Sequence, residues 1–406
     1  MSFDAPAPTE SPSRRSVALL IETSNGYSRG LLEGIIAYAK HHGHWSIQLN
    51  EQEQGAPPPQ WLRSWKGDGI IARIETDAIG RALQALSLPI VDLSAARHLR
   101  GIPWADTQDK AISQLAVEHF RERGFDRLCY CGDAGFAWSQ ARCRHFREFA
   151  LQAGASFFEH QSVHRYDPGF RWDGHRRAIA GWLKTLPRPA AIMGCNDFQA
   201  MALLDVCRDL GILVPEEMAV IGVDNDRLIC ELSEPSLTSI IPDTYGTGYE
   251  AAELLDRMMN GDVIATDEPL LTQPKGVCTR ESTDTVAIAD LEISRALSYI
   301  RRNALANIRV NDILKHSTLS RRALEHRFSK CVGHTPHEEI TRVRISRIKS
   351  MLAHSRLTVQ EIATRAGYEH PEYMAAAFKK ATGMTPTQYR QQQQSDDSQA
   401  PAANES

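Results

Sequence analysis

The chain has 406 residues, 42% of them apolar and 24% charged, a composition that fits two to three globular domains and excludes fibrous or low-complexity classes. Its net charge of -4 is unevenly spread: residues 291–390 hold 18 Lys and Arg against 8 Asp and Glu, and the remainder 28 against 42, as expected of a nucleic-acid-binding module joined to an acidic domain. No apolar run approaches membrane-spanning length, and the eight cysteines lack C-x-x-C pairing, which argues against a membrane protein, a disulfide scaffold or a cysteine-ligated metal.

Residues 1–15 are rich in Pro, Ser and Ala, lack the apolar core of a signal peptide and read as a disordered tail of a cytosolic protein. Ser16–Ile21 is a buried-strand signature, followed by an amphipathic helix from about Tyr27 to His41. The pattern recurs, with strands predicted at Trp45–Leu49, Gly69–Ala72, Ile90–Asp92, Arg127–Cys131, Ala190–Gly194 and Ala219–Val223, and a short one at Gly276–Thr279. Helices are predicted at Ala78–Leu86, Lys110–Arg123, Gln140–Ala153, Gly174–Leu186, Phe198–Leu210 and Tyr249–Met259. Such alternation predicts an α/β domain with parallel sheets covered on both faces, whose ligand lies beyond the carboxyl ends of the strands. Ser24 and Tyr27, Asp92, Asn196 and Asp197, and Asp224 stand at such ends. Short carboxylates and amides beside aromatics such as Tyr27 and Trp138 suit a sugar, forking onto hydroxyls while a ring face covers C–H groups. His41, His42 and His44 have no carboxylate cluster at ligand spacing, and Gly246-Thr247-Gly248 lacks the lysine and glycine order of a phosphate loop. Neither a metal nor a cofactor is expected.

The runs Pro189-Ala190-Ala191-Ile192, Asn196-Asp197-Phe198-Gln199-Ala200, Gly211–Glu216, Ala219–Asp226 and Pro235–Ile240 resemble the effector domain of LacI/GalR-type repressors. The resemblance covers about 16–282 and implies a type I periplasmic-binding-protein-like sensor. Lobe 1 is expected over 16–122 and 241–263, lobe 2 over 123–240 and 264–282. It also implies that an Arg four residues before an aromatic touches the ligand. Arg142 before Phe146 fits, with Arg144 as the neighbouring alternative.

A linker is expected over 283–290, then a helix reaching Asn303. From Val310 to Arg390 the sequence states one pattern twice: Phe328, Gly333 and Thr335-Pro336, then Phe378, Gly383 and Thr385-Pro386. Each copy reads as a helix-turn-helix, and two in tandem predict an all-α module gripping successive turns of the DNA major groove. Ser320, Arg321, Arg322, Glu325 and His326 mark the first recognition helix. His370, Glu372, Tyr373 and Lys379 mark the second, and Arg344 on the linking helix is expected at a phosphate. Residues 291–392, through Ser320–Phe328, Ile362-Ala363, Gly367-Tyr368 and Gly383–Arg390, resemble an AraC-type DNA-binding domain. Met374 and Ala375-Ala376-Ala377 depart from that pattern, so the second helix is expected mainly to hold backbone. Residues 393–406 are expected to be a disordered tail.

A LacI-type sensor joined to an AraC-type module resembles the xylose operon regulators. That resemblance implies a non-enzymatic transcription activator that binds D-xylose or a related pentose, homodimerises on DNA half-sites and works with RNA polymerase; the alternative is a cytosolic sugar-binding regulator that acts as a repressor or responds to a non-pentose ligand.

Overall fold

The computed structural model describes residues 14–399 apart from 44, 54, 165–166, 267–268 and 286. It comprises two compact units, 1–285 and 286–406. Residues 1–13 and 400–406, both in expected tails, lie outside the described residues.

The first unit opens with β1 (Ser16–Leu20), α1 (Gly26–Tyr38), β2 (Ser46–Leu49), β3 (Gly69–Ala72), α2 (Asp77–Gln84), β4 (Ile90–Asp92) and β5 (Ala105–Thr107). It continues through α3 (Asp109–Glu122), β6 (Arg127–Asp133), α4 (Ala137–Gln152), β7 (Ser156–Ser162), α5 (Trp172–Thr185), β8 (Ala190–Gly194) and α6 (Asp197–Asp209). Then come β9 (Met218–Val223), α7 (Arg227–Leu232), β10 (Thr238–Ile241), α8 (Thr244–Met259), β11 (Leu270–Thr272) and β12 (Gly276–Cys278).

The first lobe is built on a parallel sheet of order β2-β1-β3-β4, with β5 and β11 paired beside it. The second has the order β12-β10-β9-β8-β6-β7, parallel except at β12. Central strands β8 and β9 are buried on both faces, which is why they read as unbroken apolar runs. β2 lies at the sheet edge and is exposed along its length. Helices α1 and α8 approach backbone to backbone: a Cβ on Gly34 would sit 2.0 Å from the Tyr245 carbonyl oxygen, and one on Gly248 2.0 Å from that of Leu31. Only glycine fits at either place.

The lobe boundaries differ from those expected. The chain crosses between lobes at Thr107–Asp109, Ile241–Thr244 and Thr272–Gly276. α3 belongs to the second lobe because its buried Phe120 packs edge-on against Phe146 of α4. Leu270–Thr272 belongs to the first because it pairs in register with Ala105–Thr107. Four strands escape sequence reading. β5, β10 and β11 are too short to show a period, and edge strand β7 carries polar Glu159-His160-Gln161-Ser162.

The second unit contains α9 (Leu291–Asn303), α10 (Val310–Leu314), α11 (Arg321–Val332), α12 (Pro336–His354), α13 (Val359–Arg365), α14 (Pro371–Thr382) and α15 (Pro386–Gln399). It has two cores. Leu324, Phe328, Ile340 and Val343 join α9 and α10 in one; Ile345, Ile348, Leu352, Ile362, Met374 and Phe378 form the other. Helix α12 threads both. Each recognition helix ends on a left-handed glycine, Gly333 at φ 87° and Gly383 at φ 79°. The expected tail begins as helix instead: Thr385 and Gln388 bond reciprocally at the start of α15, Pro386 occupies its first turn, and the helix continues to Gln399.

Candidate ligand cavity and DNA-reading face

Between the lobes lies a cavity of about 160 Å³. On the first-lobe side it is lined by Ser24, Asn25 and Tyr27 from the β1–α1 turn, Arg73 beyond β3, and Asp106 in β5. Arg73 is buried, pairs with Glu22 and Glu75, donates to Ser28 Oγ at 3.2 Å, and lies 5.0 Å from the Tyr27 ring centroid. Its two carboxylate partners keep it charged despite burial. Tyr27 donates its hydroxyl to Asp106 Oδ1 at 2.7 Å, and burial with that carboxylate beside it raises its pKa.

The second lobe repeats the theme. Arg142, Trp138, Asn196, Phe198 and Asp224 line its wall. Arg142 donates Nε to Asp109 Oδ1 at 2.6 Å and Nη1 to the Cys195 carbonyl at 2.7 Å, and stands 4.9 Å from the Trp138 centroid. Each lobe thus presents an arginine stacked on an aromatic ring and fixed by carboxylates. Among the described residues Trp138 Nε1 is buried without a hydrogen-bond partner, an indole donor that a hydroxyl oxygen would satisfy.

Asp224 is held at φ 108°, a conformation that strains a side chain of its kind. Among the described residues its carboxylate accepts no hydrogen bond. Desolvation pushes its pKa up to about 7, against the opposing pull of Arg142 and Arg73. A desolvated acceptor on a strained backbone is a group prepared for an occupant.

Of the residues expected from sequence, the cavity gathers Ser24, Tyr27, Arg142, Asn196 and Asp224. Asp92 and Asp197 are outside the lining. Asp92 Oδ1 accepts from Ile74 N at 3.2 Å, bracing the loop after Arg73. Asp197 accepts from Ser239 Oγ at 2.6 Å and Asp226 N at 2.8 Å, bracing the turn that carries Asp224. Arg144 is exposed while Arg142 is 4% exposed; two residues apart on a helix, they face different ways.

In the second unit, Ser320 caps α11 by accepting from Ala323 N at 3.3 Å, and Arg321 and Arg322 project from the exposed first turn. Arg321 Nε donates to Glu325 at 2.9 Å and its Nη1 to Asn311 at 3.4 Å; His326 is exposed. On α14, His370, Glu372, Tyr373 and Lys379 are exposed, with Tyr373 at 67% and its ring 5.6 Å from that of His370. Met374 is in the core and Ala376 exposed. The second helix thus spends one exposed position on a side chain with no polar group.

A two-lobed cavity in one unit and paired helix-turn-helix faces in the other can be set beside known proteins. Residues 16–101 match the XylR N-terminal domain, 117–283 the periplasmic binding protein-like domain, and 313–392 a helix-turn-helix domain. The xylose operon regulatory protein of Escherichia coli (strain K12) is 30% identical over 385 residues, covering 93% of this chain and 97% of that protein. This chain belongs to the xylose operon regulatory protein family. The Haemophilus influenzae (strain Rd) member is 30% identical over 382 residues, 92% of this chain and 97% of its own. A solved structure described as the xylose-binding transcription activator XylR matches with a TM-score of 0.82 and 30% identity, covering 94% of this chain and 98% of that one. These relatives are transcription regulators.

In this member of the xylose operon regulatory family, no helix among the described residues is long and apolar enough to cross a membrane. Arg344, expected at a phosphate, also has partners within the protein. Its Nε donates to the Ala304 carbonyl at 2.9 Å and its guanidinium lies 5.5 Å from the Tyr368 centroid, tying the two helix-turn-helix halves together. Arg344→Ala is accordingly expected to lower the module's stability by about 1–2 kcal/mol, read as a lower urea midpoint, with an unchanged salt slope of DNA binding. A slope flattened by one unit at unchanged stability would return Arg344 to the phosphates.

Proposed function

We propose that this chain is a cytosolic, sugar-responsive transcription activator, without enzymatic activity, whose effector is D-xylose or a closely similar neutral pentose. The ligand residues are Ser24, Tyr27, Arg142, Asn196 and Asp224, joined by Asn25, Arg73, Asp106, Trp138 and Phe198. Asp92 and Asp197 act behind them as braces. The observation that carries this reading is the cavity wall itself: two arginine–aromatic pairs facing Asp106 and Asp224 across a small desolvated space. Carboxylates and guanidinium groups satisfy ring hydroxyls in pairs, and aromatic edges cover the C–H surface. Effector binding selects one lobe geometry to the extent that its affinity for the two states differs. In a homodimer that choice changes how two pairs of helix-turn-helix units meet DNA half-sites, and so how RNA polymerase is engaged. Ser320, Arg321, Arg322, Glu325 and His326 read the first site; His370, Glu372, Tyr373 and Lys379 chiefly grip the second.

The cavity also predicts what it rejects. With Asp224 ionised above about pH 7, Glu22, Glu75, Asp106, Asp109 and Asp224 outnumber Arg73 and Arg142 around it, so a phosphate or carboxylate group would meet uncompensated negative charge. Thermal unfolding of the full chain should rise with D-xylose, by about 2.7 kcal/mol of stabilisation at a hundredfold excess over Kd, and remain unmoved by D-xylose 5-phosphate or D-xylonate. The sugar should be recovered unchanged. Tighter binding of either anion, or turnover of the sugar, contradicts the reading.

A further inference from the structure

The turn after β9 reaches both the cavity and the opposite lobe. Asp224 and Asn225 are consecutive left-handed residues, at φ 108° and 48°. This turn is clamped on its own lobe: Asn225 N donates to Ser239 Oγ at 2.9 Å, Asn225 Oδ1 accepts from Arg280 Nη2 at 2.8 Å, and Asp226 N donates to Asp197 Oδ2 at 2.8 Å. Its third residue crosses the gap. Asp226 Oδ2 accepts from Gly26 N at 3.0 Å and from Arg29 Nη2 at 3.4 Å, both on α1 of the first lobe. Its other oxygen, Oδ1, accepts from Leu228 N at 3.1 Å and caps α7.

We infer that Asp226 is an inter-lobe latch, and that the Asp224–Asp226 turn couples occupancy of the cavity to closure of the two lobes. The coupling to a sugar rests on the proposed effector reading; the latch itself rests on the contacts. On one side the latch is two residues from Asp224, which lines the cavity. On the other, Gly26 lies between Asn25 and Tyr27, which also line it. The carboxylate sits at the positive end of α1, where charge and dipole agree. The fit is close, since a Cβ on Gly26 would come within 2.8 Å of Asp226 Oδ2. A clamped turn moves as one piece, so an occupant that draws Asp224 inward seats Asp226 against α1. Conversely, an unlatched Asp226 leaves Asp224 without its position opposite the first lobe. Asp226 is a positioning residue: it acts through Asp224 and α1 and touches no ligand.

The test uses the full chain with genetically encoded spin labels at exposed Gln84 on α2 and Lys184 on α5, one on each lobe. Asp226→Ser keeps a good cap for α7 while falling short of Gly26, and Arg29→Gln removes the ion pair together with the Nη1 bond to the Thr23 carbonyl at 3.2 Å, leaving the Gly26 bond to Asp226 in place. Without sugar, the inter-lobe distance distribution should shift to longer values in Asp226→Ser and by less in Arg29→Gln. D-xylose affinity should fall about tenfold and about threefold respectively, with saturated protein returning to the parent's distance. Sugar-free distributions identical to the parent's in both variants would overturn the latch. If D-xylose fails to bind even the parent chain, the effector reading falls, and the latch is decided by the sugar-free distances alone.

Discussion

Asp224→Asn is expected to weaken D-xylose binding by on the order of a hundredfold while leaving the protein folded and able to bind DNA. The carboxylate stands in the cavity wall with no hydrogen bond from the described residues, and a hydrogen bond to a charged group contributes roughly 1.5–3 kcal/mol. Two hydroxyls held by one carboxylate thus correspond to about two to four decades of affinity, part of which the neutral Asn oxygen retains. The protonation state gives this expectation a second signature. With its pKa raised to about 7 by desolvation, Asp224 must lose its proton to accept from both hydroxyls. Affinity of the parent chain should therefore decline as pH falls from 8 to 6, and that of the Asn variant should stay level. Stability carries the opposite sign. A folded-state pKa above the unfolded value means that the ionised form is disfavoured in the fold. The cost is present above about pH 7 and fades as pH falls towards the ordinary carboxylate range. At pH 8 the sugar-free Asn variant should melt above the parent, an advantage lost by about pH 4. Calorimetric titration and melting curves across that range check both signs. An Asn variant that binds as tightly as the parent would remove Asp224 from the ligand set.

Arg322→Ala is expected to erase the preference for one base pair in the half-site read by α11, at a loss of about 1–3 kcal/mol on the preferred sequence and far less on others. The geometry separates it from its neighbour. Arg321 is drawn back onto Glu325 and Asn311 and must give up those bonds to reach a base, whereas Arg322 is exposed on the adjacent face. An arginine there meets guanine O6 and N7 in a bidentate fork, and truncation leaves that edge unmatched. Binding measured against a set of single-base half-site variants gives the answer. A uniform loss across all sequences would make Arg322 a backbone contact instead.

Much of this was legible in the residues. The repeat around Phe328 and Phe378, with its glycines and Thr-Pro pairs, specifies its two helix-turn-helix outlines locally through caps and periodicity, so sequence and structure agree closely there. Polar residues at strand ends led to Ser24, Tyr27, Asn196 and Asp224 for the same reason: the α/β architecture fixes where strands stop. The rule failed where facing decides the matter. Asp92 and Asp197 resemble Asp224 in sequence, yet they turn into supporting loops, because the left-handed turn at Asp224-Asn225 depends on Ser239 and Arg280 from distant segments. Arg73 also stands just beyond the end of β3, but a search for short carboxylates and amides passes over a cation. No local periodicity places Asp106 at a strand end, since β5 becomes a strand only through its partner β11. Arg344 read as a surface cation because no local pattern reveals a contact to Ala304.

That pairing of β5 with β11 has a consequence for how the protein is made. The first lobe is not contiguous in the chain: its last strand is separated from β5 by all of the second lobe's strands except β12. At roughly 5–20 residues per second, a ribosome takes on the order of ten to thirty seconds to pass from Thr107 to Leu270. During that interval the nascent first lobe waits incomplete, with β5 unpaired along the edge that β11 will cover. The second lobe lacks only β12 until shortly afterwards, so both lobes are completed almost together, late in synthesis. A stall within that window would release a chain with an open strand edge, the form most prone to pair wrongly with another copy.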